Sequence, residues 1–336
     1  MDARNGIETK PQHVAWHSAR ARGSIWRLIL TILLLEATAM TRIEAKNFDP
    51  PWEGEDPSSP RKGVIFTAPD VDNMPDFHGN PVEARFVIFA GGNYFFALGE
   101  LIAAFENEQP GLKGKVFYET IPPGVVAKQL QSGNAITVGN LTLSVRPDVV
   151  QAGREQVEEL IARNLLEGPP VSFIENRLAI MVKDGNPRHI ESLNDLARPG
   201  LRLALPNPET EGIAKKIRIA LQQAGGERLA HEVLENKIQG GEALWTQIHH
   251  RQTPLWILKG QVDAGVTWLS EVVFQQKIGH PIGLISIAPE YNQDGIEAAA
   301  LVRRARHSET AKAWLRFLRS DIARRIIESY GMAAPR

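Results

Sequence analysis

The chain has no cysteine, which removes disulfides, thiol nucleophiles, cysteine-ligated zinc and cysteine lipidation together. Charge of one sign is also missing. The 38 Lys+Arg against 39 Asp+Glu leave a net charge of −1, and without a long basic run there is no field of the kind that gathers nucleic acid. No apolar run reaches the roughly 20 residues that span a bilayer. Enzyme signatures are absent as well: no glycine-serine nucleophile elbow, no paired-histidine zinc helix and no phosphate-loop lysine. No enzyme activity, cofactor or metal is therefore expected. What is present is 336 residues at 43% hydrophobic content, enough for a large core and for about two domains or lobes.

The N-terminus carries a compartment signal. Arg20, Arg22 and Arg27 precede the apolar run 28–35, and Ala37-Thr38-Ala39 supplies small residues at the spacing of a signal-peptidase site. Residues 1–45 thus read as an export signal, with an uncleaved anchor as the alternative. Residues 46–61, rich in proline and acids, read as an extended linker.

The rest is organised around residues 86–105. Phe86 to Ala90 is a short apolar run of β-formers, Gly91-Gly92 turns the backbone sharply and leaves amides uncovered, and Asn93 falls where an N-cap belongs. Ala97, Leu98, Leu101, Ile102 and Phe105 then recur at three and four, one face of a helix laid on a sheet. Uncovered amides at a helix start favour an anion or polar ligand, which makes Gly92, Asn93 and Tyr94 candidate contacts. The plainer alternative is that Asn93 only caps its helix.

The strand, polar turn, helix layout recurs. A strand at 115–118 leads through Thr120 to Gly124 and a helix over 125–131; a strand at 201–205 leads through Asn207, Thr210 and Gly212 to a helix over 213–223. Further strands are expected at 141–145, 176–182, 264–268, 282–288 and 296–302, a short helix over 192–197, a helix over 240–248, and closing helices at 308–318 and 321–330. Alternating strands and helices without a repeat period indicate an α/β architecture with mostly parallel sheets, whose ligands sit at the carboxyl ends of strands. His249-His250-Arg251 is the remaining polar cluster: Arg251 suits a carboxylate or oxyanion and His250 can donate a hydrogen bond. Its plainer reading is cations at a helix C-terminus.

Residues 89–98 (FAGGNYFFAL), 105–111 (FENEQPG), 176–182 (NRLAIMV), 201–209 (LRLALPNPE), 263–268 (DAGVTW) and the terminal 330–332 (YGM) together resemble the type II periplasmic solute-binding proteins of ABC importers, nearest the molybdate/tungstate-binding branch. The resemblance runs from about residue 64 to the C-terminus. It implies a two-lobed fold, with lobe 1 from 62–173 plus 285–336, lobe 2 from 174–284, and a cleft between them. It also implies a monomer that captures a small anion in the periplasm and hands it to a membrane permease. Asn93 stands where molybdate binders offer a serine, Thr120 to Gly124 replaces a serine-rich second turn, and Trp268 aligns near a late tyrosine. An enzyme or a solute sensor on the same fold, or a binder of a carboxylate or metal complex, is the alternative.

Overall fold

A computed structural model describes residues 77–92, 94–121, 123–138, 141–209, 211–246 and 252–335. All of them fall within one compact unit, Pro50–Arg336. The expected export signal and linker lie outside the described residues.

The architecture is α/β, two half-sheets sharing one long strand. In the first half β1 (Phe77–His78), β3 (Val116–Glu119), β2 (Phe86–Ala90), β6 (Val149–Gly153) and β12 (Asp294–Val302) lie side by side, with the front of β7 (Leu166–Lys183) against β12. The second half continues from the back of β7 to β10 (Ala264–Trp268), β8 (Leu203–Leu205) and β9 (Ala243–Trp245), while β11 (Ile282–Ser286) lies on the other side of β7. Each half has a parallel three-stranded core, β3-β2-β6 and β9-β8-β10. Antiparallel β12 and β7 complete them. The handover along β7 is sharp: Arg177 pairs with Asp294 of β12, and Leu178 pairs with Trp268 of β10. A separate hairpin joins β4 (Ala135–Val138) to β5 (Leu141–Ser144).

Both faces of each half are covered, which is why the strands read as unbroken apolar runs. Alternation sends Phe86, Ile88 and Ala90 to one core and Val87 and Phe89 to another. The first of these is aromatic, with Phe86, Phe105, Trp314 and Phe317 in edge and tilted contact. Each fully buried phenylalanine there is worth about 1.5–3 kcal/mol. Helices α1 (Phe95–Glu108), α7 (Ser308–Phe317) and α8 (Asp321–Glu328) close that face. In the second half Leu178, Ile180 and Val182 face one core, Ala179 and Met181 the other.

Several elements differ from the sequence reading. The strand expected over 176–182 begins ten residues earlier, at Leu166, because Pro169 and Pro170 are absorbed at a register shift opposite β12 between Ala299 and Leu301. The helix expected over 240–248 is instead strand β9 after a turn at Gly240-Gly241: three consecutive residues pair with β8, and only a parallel neighbour would have shown it. Beyond it, helix Gln252–Leu258 begins with Pro254 in its first turn, where a missing N–H costs nothing. His78 is buried and stacked on Tyr118 at 4.2 Å.

Candidate functional site

The three parallel strands of the first half end in corners that touch one another. Gly91 allows this at the first corner, since a Cβ there would stand 2.9 Å from the Cα of Pro123, the opening residue of α2 (Pro123–Gln131). Gln156, in the first turn of α3 (Arg154–Ala162), donates to the same Pro123 carbonyl at 2.6 Å. The β2–α1, β3–α2 and β6–α3 corners are thereby gathered at Pro123. Thr120 is buried beside them, and a Cβ on Gly124 would meet nothing within 4 Å, so its backbone faces open space.

Gly92 is placed by its φ of +151° and by a carboxylate. A Cβ would stand 2.7 Å from Oε2 of Glu297 on β12, so only glycine fits. Two residues earlier on β12, Gly295 does the same for the other half: a Cβ there would stand 2.2 Å from the ring of Trp268, the last residue of β10. Residues i and i+2 of a strand share a face and lie about 7 Å apart. The first corner of one half and the last strand end of the other therefore lie against neighbouring positions on one face of β12. Glu297 and Trp268 are both buried, at 8% and 5% exposure. The indole Nε1 of Trp268 is enclosed without a hydrogen-bond acceptor among the described residues.

In the second half the β8–α4 corner, where α4 is Ile213–His231, is tied by its own side chains. The Asn207 amide donates to Glu211 at 3.1 Å and to Thr246 at 3.3 Å, the Thr246 hydroxyl donates to Glu211, and the Asn207 side-chain oxygen accepts from Glu209 at 2.9 Å. Asn207 is left with its Nδ2 group as a donor. Gly212 is exposed with no obstacle to a Cβ within 4 Å.

The expected site residues thus sort clearly. Gly92 and Trp268 lie against neighbouring positions of β12, and Thr120 and Gly124 belong to the corners gathered at Pro123. Asn207 and Gly212 share the β8–α4 corner. Tyr94 is a correction: it is fully buried, its hydroxyl accepts from Gln151 at 3.0 Å and its ring meets Phe173 edge-on, so it anchors the corner from within. Burial, with the Glu297 carboxylate nearby, pushes its phenol well above the usual value, and it stays neutral. It also stands at the cap position of α1 that the sequence reading gave to Asn93. Asn93, Thr210, His250 and Arg251 lie outside the described residues.

Sequence reasoning missed Glu297, Gly295 and Gln151. The last of these holds Tyr94 and accepts from the Trp314 indole at 2.5 Å. Nothing in the local sequence marks them, because their partners lie elsewhere in the chain: Gln151 and Trp314 are 163 residues apart, and Glu297 and Gly295 act on Gly92 and Trp268. Buried carboxylates of these corners accept hydrogen bonds: Glu211 as above, Glu119 from Gln129 at 3.2 Å, and Glu271 from Thr267. Glu211 is buried. Among the described residues no group of three His, Asp or Glu could hold a metal ion.

Two α/β half-sheets that share the long strand β7, with polar strand-to-helix corners at their ends, form the two-lobed architecture of the periplasmic binding proteins. Residues 86–333 match the model of the bacterial extracellular solute-binding proteins, and the chain belongs to that family. A molybdate-binding protein of Mycobacterium tuberculosis is 24% identical over 220 residues, 63% of this chain and 76% of its own. A thiosulfate-binding protein of Escherichia coli is 28% identical over 162 residues, 46% of this chain and 48% of its own. The solved sulfate-binding protein SubI of M. tuberculosis superposes with a TM-score of 0.62 at 17% identity, over 74% of this chain and 85% of that one. All three relatives are named as binding proteins.

Proposed function

We propose that this protein captures a small anion, a tetrahedral oxyanion of the molybdate or tungstate kind, in the periplasm and delivers it as a monomer to an ABC permease. The placement of Gly92 and Trp268 against one face of β12 carries this reading. Gly92 lies against Glu297 and Trp268 against Gly295, two residues apart on β12, and helix-start amides and an indole N–H are donors of the kind an anion uses. The ligands named for the relatives, molybdate, thiosulfate and sulfate, are all oxyanions. Proposed contacts are Gly92, Thr120, Gly124, Asn207, Gly212 and Trp268 together with Asn93, Thr210, His250 and Arg251; Tyr94 positions the first corner. The handover at Arg177 and Leu178 supports lobes bounded near 174 and 285, with closure by hinge motion.

A small carboxylate is the second reading, favoured by the flat indole laid against Gly295. A thermal-shift screen separates the two, because a ligand that binds only the folded state raises its melting temperature. A rise with molybdate, tungstate or sulfate supports the oxyanion reading. A rise with small carboxylates alone moves the ligand to that class, and no rise with any anion overturns the proposal.

A further inference from the structure

A cavity of about 220 Å³ lies behind the β8–α4 corner, on the second half alone. Its walls are Leu205 at the end of β8, Ile217 on α4, Leu234, and Trp245 at the end of β9, with Arg218 and Glu235 as its charged members. The space exceeds the cavity of about 150 Å³ that accepts benzene in another protein, and falls short of the roughly 300–1,000 Å³ of drug-sized sites. One ring or a short branched chain fits it.

Three features make this more than a packing defect. Leu234 and Glu235 belong to a π-helical turn, Glu232–Asn236, which widens the backbone where α4 would otherwise continue. Such turns are rare and recur at functional sites. The chain also turns at Gly225-Gly226 within α4, a break that sets the second half of the helix at a new angle. Arg218, finally, is held loosely: its guanidinium lies 3.1 Å from Glu235 and 3.6 Å from Glu227, all three side chains being well exposed. Ion pairs of that kind contribute little and exchange readily for a better partner, and a planar carboxylate is the natural one for a guanidinium.

We infer that this cavity is a second ligand site, distinct from the anion site at β12, and that it takes a small apolar carboxylic acid with its hydrocarbon body among Leu205, Ile217, Leu234 and Trp245 and its carboxylate on Arg218. The inference does not depend on the identity of the transported solute. Pro206 and Pro208 also line the cavity, and they flank Asn207, so an occupant would brace the corner that faces the main ligand.

The test uses the full chain with benzoate as probe and benzyl alcohol as its uncharged counterpart, followed by tryptophan fluorescence and ligand-detected NMR. Saturable millimolar binding of benzoate is expected, unaffected by saturating molybdate or sulfate. Arg218→Gln, an exposed change that leaves the thermal melt intact, should weaken benzoate roughly tenfold while leaving benzyl alcohol unchanged. Trp245→Phe should remove most of the fluorescence response. No saturable benzoate binding, benzoate binding untouched by Arg218→Gln, or displacement of benzoate by an oxyanion would each overturn the assignment.

Discussion

Single residues settle the chemistry of the site, and two glycines show how. Gly92 and Gly295 leave room for the Glu297 carboxylate and the Trp268 ring, and alanine at either position drives a methyl into its neighbour. We expect Gly295→Ala to cost about 1–3 kcal/mol and to weaken anion binding by displacing the indole. Chemical denaturation and calorimetry on one sample would show both effects. Trp268→Phe keeps the ring and removes the donor, so affinity should fall roughly five- to a hundredfold with the fold intact; unchanged affinity would take Trp268 out of the site. His280 supplies a pH signature. Burial lowers its pKa, so below the unfolded value of about 6.5 the unfolded chain binds more protons, and stability is lost as pH falls through that range. The contribution of Glu242, whose pKa the Lys237 hydrogen bond lowers, is lost only at more acid pH. His280→Gln should flatten the first of these losses in denaturation midpoints measured across pH. At this scale the sequence was half legible: Gly92 and Trp268 stand out beside a turn and a strand end, while Glu297 and Gly295 acquire meaning only through pairing.

Elements were read more securely, since strand and helix periods are local. Strand β10 was placed to the residue, α7 to within one residue and α1 to within three. The misses share a cause. Strand β9 is three residues long and stable only beside β8, and the front of β7 is hidden by prolines that a register shift accommodates. The short helix Leu193–Ala197 did announce itself, through a capping box between Ser192 and Asp195. One buried cation binds the second half together. Lys237, 1% exposed, donates to the carbonyls of Arg198 at 2.8 Å and Leu201 at 3.0 Å and pairs with Glu242 at 2.6 Å. Lys237→Met would strand both carbonyls, and we expect a loss of about 1–3 kcal/mol in denaturant unfolding, whereas an exposed lysine such as Lys215 changed in the same way should cost almost nothing.

The whole molecule is governed by the crossing at β7. Asn292, on the chain returning from β11 to β12, accepts from the Leu178 amide and donates to its carbonyl, both at 2.9 Å. Asn176 donates to Ser270 at 2.8 Å across the same point. An amide side chain that replaces a strand partner fixes where one half-sheet gives way to the next. Asn292→Ala should loosen that point, lowering anion affinity without touching the ligand and raising amide exchange at Leu178. The two-lobed plan was legible in the order of strands and turns along the chain, and the family match over residues 86–333 agrees with it. Which ligand it takes was not legible, because on the proposed reading selectivity depends on groups assembled from both halves. The central claim is that a small anion sits where Gly92 and Trp268 lie against neighbouring positions of β12. A crystal structure grown with the oxyanion that most raises the melting temperature tests it most directly. Density for the anion between the β2–α1 corner and the Trp268 indole is the predicted result; an anion bound elsewhere, with that junction unoccupied, would contradict the account.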